Sequence, residues 1–445
     1  MPISLPLLIP VRQRFPRSPA LDVRAAVESE LESRLGHGQV RRGARVAVAV
    51  GSRGIANLHE IVAAVVEWLR RRETKPFIVP AMGSHGGATA EGQAAILADG
   101  GITEAALGAP IHASMEVTRL GVTGDEIAVY FSAEALASDG IVLINRVKPH
   151  TDFAGRIGSG ILKMAAIGLG KHRGAATVHA AALSLGYEHV IRTVARRIFE
   201  KAPVLAALAI VEGPRHETAK IEIMHPAEVE RREEELFREA ASLMPTLPFH
   251  QVDLLIVDRM GKNISGTGMD PNVIGRGVHG YSTIFSEQQS GHGLGPCPVP
   301  AIRRIFVREL TEETHGNAIG IGLADFTTRR LVEAIDRQFT SINVLTSLGL
   351  HLAKIPMYFD TDREAIEHAL VSTCRPETAR VVRITDTLAL ENLAASDASI
   401  EECGQRTKIE LLGAAQEIAF DEHGNLLPPD WTSSPAGVAV PLTVN

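Results

Sequence analysis

Short apolar runs alternate with longer amphipathic segments along most of this chain. The runs at 44–50 and 140–147 are almost continuously apolar, which is typical of strands buried on both faces of a parallel sheet. Between them, residues 57–72 repeat their apolar positions at helical spacing and end in a basic turn. This alternation predicts βαβ units, with Asn57 and Thr89 as the expected N-caps of two of the helices.

A second block of the same alternation begins after residue 250. A charged stretch at 226–244, predicted as a surface helix, and the interrupted segment P-T-L-P-F-H separate it from the first block. The 445 residues are too many for one ordinary core. We therefore predict two α/β domains, 1–247 and 248–445, with mainly parallel, Rossmann-like sheets and an interdomain cleft. The first domain is expected to hold the cofactor and catalytic residues, and the second to complete the cleft and end in a tail.

Polar side chains follow three of the apolar runs at the point where each strand is expected to end. They are Ser52 and Arg53, His85 in G-S-H, and His150 in K-P-H. Open α/β sheets bind ligands at the carboxyl ends of their strands, so we expect one site with a cation and two proton carriers. Taken singly, each histidine could equally be a loop residue bonded to the backbone, and Arg53 could be a salt-bridge partner.

The stretch after His150 is rich in glycine and in cationic side chains. Gly155, Gly158 and Gly160 allow close approach of the backbone to a ligand, and successive N–H groups of this stretch, which includes Ser159, can surround an anion. Lys163 lies among apolar neighbours, where burial would make its amine nucleophilic; alternatively its ammonium reaches water while its stem packs. His179 lies on a predicted helix, where a lone histidine is usually a packed or capping residue. The later G-L-G-K-H is not a Walker A loop, because the first glycine and the Ser/Thr are missing.

These clusters together resemble the nickel-pincer lactate racemase family, which includes other 2-hydroxyacid racemases and epimerases. The family pattern has an arginine after its first strand, a G-[ST]-H loop, a K-P-H loop and a glycine-rich run ending in a lysine. A metal-binding histidine follows sixteen positions later. The matching residues are Arg53, His85, His150, Lys163 and His179, and the last spacing is 179 − 163 = 16.

The resemblance implies a nickel-dependent racemase or epimerase of a 2-hydroxyacid. Lys163 would bind a nickel-pincer nucleotide, pyridinium-3,5-bisthiocarboxylic acid mononucleotide nickel, through a thioamide, and His179 would be the protein ligand of the Ni. His85 and His150 would serve the two enantiomers as acid and base. The remaining expected cofactor-binding residues are Arg53, Ser52, Gly158, Ser159 and Gly160. The alternatives are a lyase or isomerase, or a non-catalytic cofactor-binding protein, on the same scaffold without the pincer.

The resemblance extends into the second half of the chain at a strand, a Gly-rich turn and an acidic-x-Asn segment. Asp270 and Asn272 match that segment, but V-I-G-R-G-V-H replaces the family's Tyr-Gln-x-x-Lys substrate positions. Arg276 and Lys262 are therefore candidates, with Asp270 and Asn272, to contact a second carboxylate or a sugar-acid hydroxyl. As loop cations, Arg276 and Lys262 could equally be solvated.

Composition and charge exclude several other classes of protein. The net charge of −7 does not favour a nucleic-acid surface, which requires a clustered basic face. The three cysteines have no CxxC or zinc-type spacing, and no apolar run is long enough for a membrane helix. We expect a cytoplasmic protein with no nucleic-acid or membrane partner. Its expected partners are a small-molecule 2-hydroxyacid and the proteins that synthesise the cofactor.

Overall fold

The computed structural model describes residues 3–16, 18–36, 39–51, 54–151, 153, 155–276, 300–403 and 409–429. Their strands are β1 (Ile9–Gln13), β2 (Arg45–Val50), β3 (Lys75–Pro80), β4 (Val117–Val122), β5 (Ala128–Ser132), β6 (Gly140–Arg146), β7 (Val204–Glu212), β8 (Thr218–Met224), β9 (Gln251–Met260), β10 (Ala301–Leu310), β11 (Phe326–Thr328), β12 (Met357–Phe359), β13 (Val381–Ile384), β14 (Asn392–Ala395) and β15 (Ile409–Leu411). Their α-helices are α1 (Val23–Leu35), α2 (Leu58–Arg71), α3 (Ala90–Asp99), α4 (Glu104–Leu107), α5 (Ala133–Leu136), α6 (Ile161–Lys163), α7 (Lys171–Leu185), α8 (Tyr187–Lys201), α9 (Val229–Leu243), α10 (Pro271–Ile274), α11 (Arg329–Glu333), α12 (Arg337–Ser347), α13 (Asp362–Val371) and α14 (Asp397–Glu402). A π-helical segment, Met164–Gly168, lies between α6 and α7.

The chain divides into two compact units, one of which contains residues 18–244. Its main sheet has the order β3-β2-β6-β7-β8, and all its neighbouring strands are parallel except β7 and β8. Alternate residues of β2 enter two different apolar clusters: Ala47 and Ala49 enter one, whereas Val46, Val48 and Val50 enter the other. The sheet is therefore buried on both faces, as its continuous apolar runs predict.

The other unit combines residues up to 16 with those from 245 onward. Its sheet has the order β12-β11-β10-β9-β13-β14-β1-β15. The strands from β12 to β13 are parallel, whereas β14, β1 and β15 add antiparallel strands at one side. The predicted α/β class with mainly parallel sheets is confirmed. The N-terminal strand β1 lies in this second sheet. A division of the chain at residue 247 instead assigns β1 to the first domain.

The local predictions for the helices have different outcomes. Thr89 caps α3, because its hydroxyl accepts a hydrogen bond from the Gly92 N–H at 3.0 Å. Asn57 is the N-cap residue of α2, as predicted, but its side chain forms no capping hydrogen bond. The residue adopts φ 53°, and its amide oxygen accepts from the Thr218 hydroxyl at 2.9 Å. Within the described residues, no helix combines the length and apolar character needed to cross a membrane.

Candidate cofactor and catalytic site

Both predicted histidine loops leave the same edge of the five-stranded sheet. The His85 loop follows β3 and the His150 loop follows β6, and the parallel strand β2 pairs with both. Val50, the last residue of β2, aligns with Pro80 on one side and with Ile144 on the other. The carboxyl ends of these strands therefore meet, as predicted. Ser52 and Arg53, expected after β2, lie outside the described residues.

The glycine-rich stretch folds back onto the loop that carries His150. Lys148 and Ser159 exchange two backbone hydrogen bonds, of 2.8 and 2.9 Å. Gly158 fits here only because it has no side chain, since a Cβ atom would lie 2.3 Å from the Lys148 carbonyl oxygen. This close backbone pairing fixes the loop, and it leaves the His150 side chain only 8% exposed.

His150 and Lys163 are in direct contact. The Lys163 amine shares a hydrogen bond with Nε2 of His150, and the lysine is half-buried. Lys163 ends α6, whose first backbone N–H groups meet the carboxylate of Glu233 from α9; the Leu162 N–H donates to it at 3.0 Å. Glu233 approaches so closely that a Cβ atom at Gly160 would lie 2.3 Å from its carboxylate oxygen.

A row of rings connects His150 with His179. The His150 ring stacks on Phe153 with centroids 4.4 Å apart, and Phe153 stacks on Tyr187 at 5.1 Å. The Tyr187 ring meets His179 edge-on at 5.7 Å, and its hydroxyl is hydrogen-bonded to Nδ1 of His179 at 2.9 Å. The structure thus brings three of the predicted residues, His150, Lys163 and His179, into one continuous cluster.

His85 lies on the neighbouring strand-end loop with an exposed side chain. Its backbone N–H donates to the Met82 carbonyl at 3.2 Å, and its own carbonyl accepts from the Gln93 amide at 3.5 Å. The loop is therefore fixed through its backbone while His85 stays exposed, an arrangement suited to exchanging a proton with a bound molecule.

Two buried ionisable residues at this site were not predicted from the sequence. Burial lowers the pKa of the Lys171 amine to about 8. Burial also raises the pKa of the Glu233 carboxyl to about 7, although the N–H groups of Leu162 and Ile161 oppose the shift. Glu233 belongs to the stretch predicted as a surface helix, but its side chain is completely buried. The available signal was its spacing: it lies four residues after buried Val229, on the apolar face of α9.

The four expected substrate residues lie in the other unit, where intramolecular contacts engage them. Arg276 is buried, and its guanidinium donates to the Leu323 carbonyl and to the Asp325 carboxylate. The Lys262 amine donates to Asn343 at 2.8 Å and to the Gly266 carbonyl at 3.1 Å. Asp270 caps α10 by accepting from both the backbone and the side-chain amide of Asn272. These contacts give the four residues structural roles within their own unit.

Within the part of the chain that the structure describes, no group of three or more His, Cys, Asp or Glu side chains is arranged to hold a metal ion.

Residues 12–188 match the family model for the lactate racemase N-terminal domain. The chain is also similar to the solved lactate racemase apoprotein from Thermoanaerobacterium thermosaccharolyticum, with 13% sequence identity and a TM-score of 0.50. That similarity covers 86% of this chain and 99% of the other. A search of curated proteins finds no match.

The resemblance seen in the sequence is therefore confirmed for residues 12–188, which match the family model of the lactate racemase N-terminal domain. At 13% identity, the structural similarity shows a shared fold, which is the lactate racemase-like α/β fold.

Proposed function

We propose that this protein is a nickel-dependent racemase or epimerase of a 2-hydroxyacid. The observation that supports this most strongly is the contact between Lys163 and His150, linked through a row of rings to His179. An amine, a proton-carrying imidazole and a metal-ligating imidazole are the groups that the family's chemistry requires. They lie together inside the segment that matches the family model.

The residues present fit a nickel-pincer nucleotide. Lys163 offers a half-buried amine for covalent attachment, at the end of a glycine-rich loop that packs closely against Lys148 and Glu233. His179 offers an imidazole, which suits nickel; the phenol of Tyr187 engages Nδ1, so Nε2 is the nitrogen that would bind the metal. When bound, the nucleotide supplies a hydride acceptor that can return the hydride to either face of a flat oxoacid.

The two histidine loops carry the side chains that transfer protons in the proposed reaction. His150 is buried at the end of one strand and His85 is exposed on the loop after another, so they reach the site from two different strand ends. In the proposed reaction one imidazole accepts the hydroxyl proton of the enantiomer that is consumed, and the other donates a proton to the oxygen of the enantiomer that is formed. The two roles are exchanged in the reverse direction. Ser52 and Arg53 stay predicted cofactor-binding residues, and the four residues of the second unit are not part of this proposal.

The covalent attachment gives the most direct test. Protein produced together with the cofactor-synthesis enzymes should show an added mass in intact mass spectrometry and should contain nickel. Lys163→Ala should lose both, whereas Lys201→Ala, which changes an exposed lysine at the end of α8, should retain both. An unmodified, nickel-free wild-type protein would contradict the proposal. Modified protein without any racemase activity would favour a cofactor-binding protein instead.

The catalytic roles need a separate measurement. Loaded protein should racemise at least one member of a panel of chiral 2-hydroxyacids, and both His85→Ala and His150→Ala should abolish this activity. The product should contain no solvent deuterium at its α-carbon, because the hydrogen at that carbon would move as a hydride that does not exchange with water. Deuterium at that carbon would indicate enolisation and would support the lyase or isomerase alternative.

A further inference from the structure

Lys171 is completely buried in an unusual backbone conformation. It has φ 55°, a region that non-glycine residues rarely adopt, and its side chain has no solvent exposure. Its amine donates to the Pro80 carbonyl at 2.6 Å and to the amide oxygen of Gln93 at 3.1 Å. Backbone strain and a buried amine both oppose folding, so this arrangement is maintained by what the lysine contacts.

Gln93 extends these contacts to the loop that carries His85. The side chain of Gln93 is also completely buried. While its oxygen accepts from Lys171, its amide nitrogen donates to the Gly83 carbonyl at 2.8 Å and, more weakly, to the His85 carbonyl at 3.5 Å. The amine of Lys171 is thus connected through one side chain to the backbone of His85.

The same loop is also tied to the segment that follows Lys163. The Gly83 N–H donates to the Gly168 carbonyl at 3.0 Å, and Gly168 ends the π-helical segment. Lys171 begins the next helix, α7, only eight positions after Lys163 (171 − 163 = 8). The His85 loop is therefore bonded both to the chain that carries the cofactor lysine and, through Gln93, to the helix that carries His179.

We propose that Lys171 and Gln93 are positioning residues that hold His85 at a fixed distance from Lys163 and His179. This inference rests on the proposed function, in which His85 exchanges a proton with a substrate bound near Lys163. Neither side chain reaches the surface, so both act through the loop backbone and do not touch the substrate themselves. A catalytic imidazole misplaced by a fraction of an ångström loses rate without loss of binding.

Three variants remove different hydrogen bonds of Gln93 and Lys171. Gln93→Met removes both the donor and the acceptor at nearly constant volume. Gln93→Glu keeps an acceptor for Lys171 but cannot donate to Gly83 while it is ionised. Lys171→Met keeps the packed stem and removes the amine. The matched control is Lys220→Met, which removes a lysine of the same unit that forms a partly exposed ion pair with Glu239.

The first readout is amide hydrogen exchange by mass spectrometry on peptides covering residues 81–89, in protein without cofactor. Each of the three variants should exchange roughly fivefold faster or more in this loop, while the control matches the wild type. If Lys171→Met does not fold, Gln93→Glu still decides the question. Unchanged exchange in the variants that fold would overturn the inference.

The second readout is the racemisation of a 2-hydroxyacid by cofactor-loaded protein. A positioning role lowers kcat with little change in KM, at temperatures well below the melting transition of each variant. Faster amide hydrogen exchange in the His85 loop together with an unchanged kcat would overturn the positioning role. Absence of racemisation in the wild-type protein would refute the proposed function instead. The hydrogen-exchange result does not depend on activity, so it distinguishes a failure of the proposed function from a failure of the positioning role.

Discussion

Glu233 should make the stability of this protein fall as the pH rises towards neutrality. Its carboxyl is completely buried, and its pKa is raised from 4.5 to about 7. Between these two values the folded protein binds a proton that the unfolded chain releases, so the free energy of unfolding decreases with increasing pH. The shift of 7 − 4.5 = 2.5 pKa units corresponds to about 3 kcal/mol in total.

Glu233→Gln removes this titration while keeping the shape of the side chain and an oxygen for the Leu162 N–H. Urea unfolding of both proteins at about pH 5 and about pH 7.5 should show the wild type losing about 2 kcal/mol more than the variant over that interval. The difference between the two proteins cancels the titration of all other groups.

Glu235→Gln is the matched control, because Glu235 lies on the same helix but pairs with Arg231 and Arg232 at the surface. Its pH dependence should follow the wild type. Equal pH dependence of wild type and Glu233→Gln would refute the reasoning, since it would mean that Glu233 is ionised throughout or titrates as it does in the unfolded chain.

Two further substitutions test the geometry of the site. Tyr187→Phe keeps the ring stacked on Phe153 but removes the hydroxyl that is hydrogen-bonded to His179. We expect the nickel affinity of the cofactor-loaded protein, measured by competition with a chelator, to fall by roughly tenfold or more. An unchanged affinity would show that the phenol does not orient the ligand. Gly158→Ala should destabilise the protein by about 1–3 kcal/mol in urea unfolding, because its Cβ atom would overlap the Lys148 carbonyl oxygen. Gly124→Ala, with no atom within 4 Å of the added carbon, should have little effect, and equal losses in the two variants would contradict this explanation.

The strand-end histidines could be predicted because their signals are local. A buried parallel strand shows as a continuous apolar run, and the residues that follow it fall at the carboxyl edge of the sheet wherever neighbouring strands are parallel. This is why the positions of His85 and His150 followed from the sequence. That Lys163 belongs to the same site as His150 was implied only by the family resemblance, and their direct contact was not predicted, since the fold of the intervening glycine-rich loop has no periodic signal.

The buried polar residues could not be identified in this way. Glu233 is one of several glutamates in a charged helix, and only its position on the apolar face distinguishes it. Lys171 belongs to the G-L-G-K-H stretch, which does not match a Walker A loop, and nothing local indicates that its amine is buried. The amine is enclosed by contacts from β3 and α3, which are 91 and 78 residues distant in sequence. The strand β1 likewise carries no indication of which sheet it joins, because strand pairing depends on residues hundreds of positions away.

The π-helical segment between α6 and α7 lies within the sixteen-residue interval that separates Lys163 from His179, and it changes how the two side chains are oriented. In an uninterrupted α-helix, sixteen residues would separate the two side chains by about 24 Å along the axis and turn them by roughly 160° relative to each other. The wider turn at Met164–Gly168 and the positive φ of Lys171 break that helix, and both side chains belong to one row of contacts. Deleting a single residue from this connection would rotate His179 by roughly 100°, so the length of the segment is as much a part of the site as the residues it joins.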